Sequence, residues 1–124
     1  MARRPAKRLQ GELAYHSGLA AEEAVARHYC ARGLPVADQR WRGRGGEIDL
    51  IVHDGEGLIF VEVKKSSTFD RAAERVTQRQ INRIYAAAGE YLGKMPKGQL
   101  TDVRFDVALV DGTGAMKILE NAFI

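Results

Sequence analysis

Residues 46–65, GEIDLIVHDGEGLIFVEVKK, constrain the fold of this chain more than any other stretch. Two apolar runs, EIDLIVH and LIFVEVK, flank the turn-forming DGEG, which is the pattern of a β-hairpin. Ile48, Leu50, Ile51, Phe60, Val61 and Val63 leave few polar positions on either face, so both strands are expected to be covered on both sides. That requires a sheet with helices packed against it. The same hairpin nevertheless carries Glu47, Asp49, Glu62 and Lys64, and charges in doubly covered strands are costly unless a partner or a site stabilises them.

The turn fixes where those charges meet. DGEG folds about a midpoint between Gly55 and Glu56, so a two-residue loop pairs Asp54 with Gly57 and a four-residue loop pairs His53 with Leu58. Either register puts Asp49 opposite Glu62 and Glu47 opposite Lys64, and alternation keeps all four on one face. Two carboxylates about 5 Å apart repel by roughly 3 kcal/mol at an effective dielectric near 20. A shared proton, a neighbouring cation or a bound metal can offset this. Lys64 is a single cation among three acids. A hard divalent ion such as Mg²⁺ or Mn²⁺ prefers the carboxylate and carbonyl oxygens offered here. The alternative is a pair of cross-strand salt bridges on a solvent-facing sheet.

The remaining chain supplies the covering elements. Residues 1–14 are polar and aperiodic and read as a flexible basic arm, with a single domain over 15–124. A first helix is expected from Ser17, as its N-cap, to Arg32, with Gly33 and Pro35 ending it. Gly18, Glu22, Val25 and Tyr29 share one face of it, which puts Glu22 on the inward side as a possible fourth acid of the cluster. PVADQRW reads as the first strand and RGRGG as a loop. A second helix is expected over residues 71–92, buried through Ile81, Ile84, Tyr85, Ala88 and Leu92 and ended by Gly93 and Pro96. DVRFDVALV and MKILENAFI supply a fourth strand and a short fifth. The expected class is α/β, a mixed sheet of about five strands flanked by helices.

Composition narrows the function classes. Nineteen Lys and Arg against sixteen Asp and Glu give a formal charge of +3. The cations are clustered at Arg3–Arg8, at Arg40, Arg42 and Arg44, and at Arg71, Arg75, Arg79 and Arg83. The last four recur every fourth residue, either as a basic ridge that tracks a nucleic-acid backbone or as an ordinary solvated helix face. Trp41 could stack on a base or pack in the core, and Asp106 reads as the structural partner of an arginine. No apolar run approaches a membrane span, and the basic start has no apolar stretch of a secretory signal. One cysteine, Cys30, allows no internal disulfide and fits the cytoplasm. His16, His28 and His53 lack zinc-type spacing.

Asp49 on one strand and Glu62-Val63-Lys64 on the next resemble the PD-(D/E)xK nucleases. The fuller pattern is more specific: GEIDLI with FVEVK, Gly18 and Glu22 on an upstream helix, Val76-Thr77 opening a downstream one, RFDV at 104–107 and a terminal Ala-Phe. Together they resemble the bacterial YraN family, endonuclease-like proteins distantly similar to Holliday-junction resolvases. The resemblance runs from Gly18 to Phe123 and implies a restriction-endonuclease-like core. It implies that Asp49, Glu62, the Val63 carbonyl and Glu22 hold Mg²⁺ or Mn²⁺. It implies that Lys64 orients or deprotonates the attacking water and stabilises charge on the phosphate. Nucleic acid, in the first instance structured or branched DNA, is the implied partner, bound through Arg44, Arg71, Arg75, Arg79 and Arg83; a homodimer is implied by the resolvases. A non-catalytic binding module that keeps the fold is the competing reading. Relatives carry a lysine near the start of the downstream helix where this chain has Gln80.

Overall fold

A computed structural model describes the backbone of residues 4–123 and the side chains of residues 16–123. Its elements run α1 (Arg4–Ala31), β1 (Val36–Arg42), β2 (Glu47–Asp54), β3 (Gly57–Lys65), α2 (Phe69–Glu74), α3 (Gln78–Leu92), β4 (Val103–Val110) and β5 (Met116–Leu119). The strands form one sheet in the order β1-β2-β3-β4-β5. All neighbours are antiparallel except β3 and β4, which are parallel. Two parallel neighbours cannot be joined by a tight turn, and α2 and α3 supply the crossover. The chain is therefore α/β, with the open mixed sheet and flanking helices of a restriction-endonuclease-like core.

The hairpin closes with two loop residues, since Asp54 pairs with Gly57. Gly55 takes φ 61°, a left-handed conformation that glycine adopts without strain. Both hairpin strands are covered on both faces, as their apolar runs require. On one face Leu50, Val52, Ile59, Val61 and Val63 pack with Ala21, Val25, Ala26 and Tyr29 of α1. On the other, Ile51, Leu58 and Phe60 meet Ala87, Ala88, Tyr91 and Leu92 of α3, while Ala72 of α2 meets Val107 and Leu109 of β4. Each large apolar side chain removed from water here contributes about 1.5–3 kcal/mol before entropic costs. Among the described residues no helix is long and apolar enough to cross a membrane.

The helices depart from the sequence reading in three ways. First, α1 begins at Arg4, so Ser17 lies inside the helix and is no N-cap. The arm expected over 1–14 falls on residues whose side chains, and for 1–3 the backbone as well, lie outside the described residues. The helix does end as expected. Leu34 N–H donates to the Tyr29 carbonyl and Gly33 N–H to that of Cys30, a Schellman closure around Gly33 at φ 80°.

Second, residues 71–92 do not form one helix. The Thr77 hydroxyl accepts from Gln80 N–H and caps α3, so the chain stops at Glu74 and restarts at Gln78. Third, α3 buries Ala87 and Tyr91 together with Ile84, Ala88 and Leu92, while Tyr85 is 42% exposed. The Tyr85 ring instead packs edge-on against Phe105 and Phe123 at the margin of the sheet.

Asp106 is structural, as its sequence context suggests. Fully buried on β4, it accepts from both Arg104 Nε and Nη2, from the Tyr29 hydroxyl at 2.7 Å and from Asn121 N–H. This ties α1, β4 and the C-terminal segment to one carboxylate. The hydrogen bond to Asp106 and burial together hold the Tyr29 hydroxyl in its protonated form far beyond the usual tyrosine range.

Candidate functional site

The hairpin ladder is regular from the turn back to Leu50 opposite Val61, and there it stops. One residue further, Asp49 Oδ2 accepts the Val63 N–H at 2.8 Å, so a side-chain oxygen occupies the place of a backbone acceptor. On the β1 side, Arg40 faces this point with φ 48°, left-handed for a residue that has a Cβ. Strict alternation is lost at the same place. Leu50 and Val52 pack toward α1, but Ile48 packs with Ile51 toward α3. The expected single face for 47, 49, 62 and 64 is thereby corrected: Asp49 lies toward β3, at the gap where β2 and β3 separate.

Asp49 and Glu62 do come together there. They lie within hydrogen-bonding reach of each other, and burial, followed by the Glu62 charge, pushes the Asp49 carboxyl up to about 8, against the opposing pull of Val63 N–H and Lys64. Asp49 therefore keeps its proton near neutral pH, facing Glu62. Glu62, only 5% exposed, accepts from Gln80 Nε2 at 2.7 Å and is bridged by Lys64 Nζ at 3.1 Å. Gln80 reaches it because Thr77 starts α3 over the end of β3. No periodicity signals this contact.

Two further acids stand nearby with partners of their own. Glu22, projecting from α1, is held by Arg40 through Nε at 2.7 Å and Nη2 at 3.3 Å. Burial, offset by this arginine, raises its carboxyl, and the Asp49 charge adds to the rise. Glu47 does not meet Lys64, because the ladder has ended; it accepts from Arg42 Nη2 at 2.9 Å instead. Both carboxylates line the same open cleft as Asp49, Glu62, Val63 and Lys64.

That cleft, of about 1020 Å³, also takes Arg42, Arg44, Arg79 and Arg83 along its walls. The four-arginine ridge is split by the break before Thr77. Arg79 and Arg83 remain at the cleft on α3, whereas Arg75 donates to the Lys65 carbonyl beside a different pocket and Arg71 lines neither. Arg44 gets its place from a loop missed by charge counting. The Glu90 carboxylate accepts from Arg44 N–H and Gly45 N–H, both at 2.9 Å, fastening RGRGG to α3. Gly46 is needed for this approach, since a Cβ on it would lie 2.6 Å from the Arg83 carbonyl oxygen. Trp41 packs edge-on against Tyr91, with Lys94 over its ring, which is a packing role.

The donor set suits a hard divalent cation. The N–H and carbonyl of one extended residue point to the same strand edge, so with Val63 N–H on Asp49 its carbonyl faces the same gap. Among the described residues no three acidic, histidine or cysteine side chains are grouped closely enough to hold an ion by themselves. Asp49 and Glu62 would need the Val63 carbonyl and waters to complete a shell, which Mg²⁺ accepts readily. A cation bound here would displace the proton that Asp49 keeps.

Similar proteins match along nearly the whole chain. The model of "Uncharacterised protein family UPF0102" matches residues 21–110. A UPF0102 protein of Cereibacter sphaeroides is 57% identical over 115 residues, 93% of this chain and 98% of its own. One from Ruegeria pomeroyi is 57% identical over 107 residues, 86% of this chain and 87% of its own, and one from Dinoroseobacter shibae is 45% identical over 116, or 94% and 87%.

Proposed function

This chain belongs to the uncharacterised protein family UPF0102, the family that the YraN resemblance names, and we propose that it is a Mg²⁺- or Mn²⁺-dependent nuclease acting on structured or branched DNA. One observation carries the reading: Asp49, Glu62 and Lys64 converge where β2 and β3 separate, at a cleft walled by arginines. Hydrolysis of a phosphodiester needs an activated water and stabilisation of the charge developing on phosphorus and the leaving oxygen, and a divalent cation supplies both when bound. Asp49, Glu62 and the Val63 carbonyl are the groups that would hold it. Lys64, 3.1 Å from Glu62, would orient the water and neutralise a phosphate oxygen. Gln80 fixes the Glu62 carboxylate in direction without adding charge. Arg44, Arg79 and Arg83 would take flanking phosphates. Glu22 stands behind the pair, engaged by Arg40.

Cleavage of junction, flap and single-stranded DNA with Mg²⁺ or Mn²⁺ tests the reading, with Asp49→Ala and Lys64→Ala as controls. Wild-type cleavage lost in both variants is expected; cleavage surviving both substitutions sinks the idea. A second reading, a non-catalytic nucleic-acid-binding module, is favoured by one fact: Glu62 and Glu22 already have protein partners. Mn²⁺ separates the two, since an ion bound to the native state must raise the melting temperature. We place the protein in the cytoplasm, where an exposed Cys30 stays reduced, and infer a homodimer from the symmetric two-strand cleavage of resolvases.

A further inference from the structure

Beyond the cleft, at the C-terminal end of β3, lies a second pocket of about 440 Å³. Ser17, Lys64, Lys65, Ser67, Arg75 and Gly112 are among its walls, and no carboxylate among the described residues lines it. Lys65 donates one Nζ hydrogen to the Ser17 hydroxyl at 2.7 Å, and Arg75 donates one guanidinium hydrogen to the Lys65 carbonyl at 2.7 Å. An ammonium has three hydrogens and a guanidinium five, so both keep donors to spare. Among the described residues neither is ion-paired, although Lys64 beside them is held by Glu62. Two cations sharing a hydroxyl-lined pocket without a counter-ion repel each other, and an anion relieves that.

The pocket adjoins the cleft. Val63 and Lys64 line both. From Glu62 to Lys65 the strand advances roughly 10 Å. That is within the reach of one or two successive phosphates of a single strand.

We propose that this pocket is a phosphate subsite that holds the backbone of the same nucleic-acid strand whose neighbouring phosphodiester occupies the main cleft. The inference rests on the nucleic-acid reading of that cleft and adds a direction to it. The strand leaves the acidic pair along β3 toward α1, a path separate from Arg79 and Arg83 on α3.

The test is metal-free binding of a single-stranded and a duplex oligonucleotide over a range of salt, by fluorescence anisotropy, to the full chain. Loss of one phosphate contact makes the log Kd–log salt slope shallower by roughly 0.7 on a single strand and 0.9 on a duplex. That change is expected for Lys65→Gln/Arg75→Gln, with Lys65→Arg keeping the wild-type slope. An unchanged slope in the double variant overturns the subsite. A wild type that binds but never cleaves, with the double variant's slope reduced, supports the subsite while refuting hydrolysis. Wild-type protein labelled with ¹⁵N gives a reading free of any folding defect. Inorganic phosphate should shift the Ser66, Ser67 and Gly112 amides to saturation, and bound oligonucleotide should suppress those shifts. Shifts indifferent to the oligonucleotide would mean a small phosphorylated ligand and overturn the proposal, as would no shift with either.

Discussion

Replacing Asp49 by asparagine should stabilise the metal-free protein, and the gain should grow with pH. The asparagine oxygen can still accept the Val63 N–H, and its amide can donate to Glu62, so the substitution removes a charge and little else. The wild-type carboxyl is raised from 3.8 to about 8, chiefly by burial and by Glu62. Between those values the folded chain keeps a proton that the unfolded chain releases, so this group's contribution is fully present below pH 3.8 and is lost as pH rises through about 8. At about 1.36 kcal/mol per pH unit the ceiling is on the order of 5–6 kcal/mol. Two like charges ~4 Å apart at an effective dielectric of ~20 give a smaller ~4 kcal/mol. Because the cleft is open to water, we expect about 2–3 kcal/mol above pH 8, shrinking toward zero at pH 4.

For a chain of this size each kcal/mol is worth ~3–5 °C, so the melting temperature of Asp49→Asn should exceed that of wild type by roughly 6–15 °C at pH 9. Circular-dichroism melts at pH 4, 6, 7.5 and 9 in a chelator follow the difference directly. A variant less stable than wild type at pH 9, or a difference flat across the series, would refute the account of Asp49 kept protonated beside Glu62. Added Mn²⁺ should then raise the wild type more than the variant, closing the gap.

Two other substitutions probe what positions the site. Gly46→Ala should cost about 1–3 kcal/mol in urea denaturation, since its Cβ meets the Arg83 backbone oxygen rather than a side chain that could move aside; a neutral result would mean the loop over α3 is free to shift. Asp106→Ala leaves Arg104 only its longer contact with Glu120 and Tyr29 without its acceptor, and should cost about 3–5 kcal/mol with no dependence on divalent ions.

The hairpin was legible in sequence because its two signals are local. An apolar run on either side of DGEG fixes the pairing, and the turn's symmetry fixes the register, so Asp49 and Glu62 could be brought together on arithmetic alone. The helix break before Thr77 was harder to see. Arg71, Arg75, Arg79 and Arg83 keep helical spacing straight through it, and the restart comes at the Val76-Thr77 opening that the family resemblance indicated, where the Thr77 hydroxyl accepts from Gln80 N–H. The contacts of Gln80 with Glu62, Arg40 with Glu22 and Glu90 with the RGRGG amides join distant parts of the chain, and no periodic pattern encodes them.

A further local feature that escaped is Arg40, because nothing in PVADQRWRG announces a left-handed arginine. Its consequences explain why acids are tolerated inside this hairpin at all. A kink at Arg40 opposite Asp49 breaks the alternation that would bury the aspartate against a helix, and it brings the guanidinium to Glu22. With the β2–β3 ladder ended, Asp49 can stabilise the Val63 N–H that the missing ladder would leave unpaired. The charges thus sit where the sheet stops being a sheet. There a carboxylate is useful to the backbone, reachable from a cleft, and close enough to a second carboxylate to hold a proton that a cation could replace. A hairpin with the same composition but an unbroken ladder would have to bury those charges against α1 and α3, without the Val63 N–H that Asp49 accepts here.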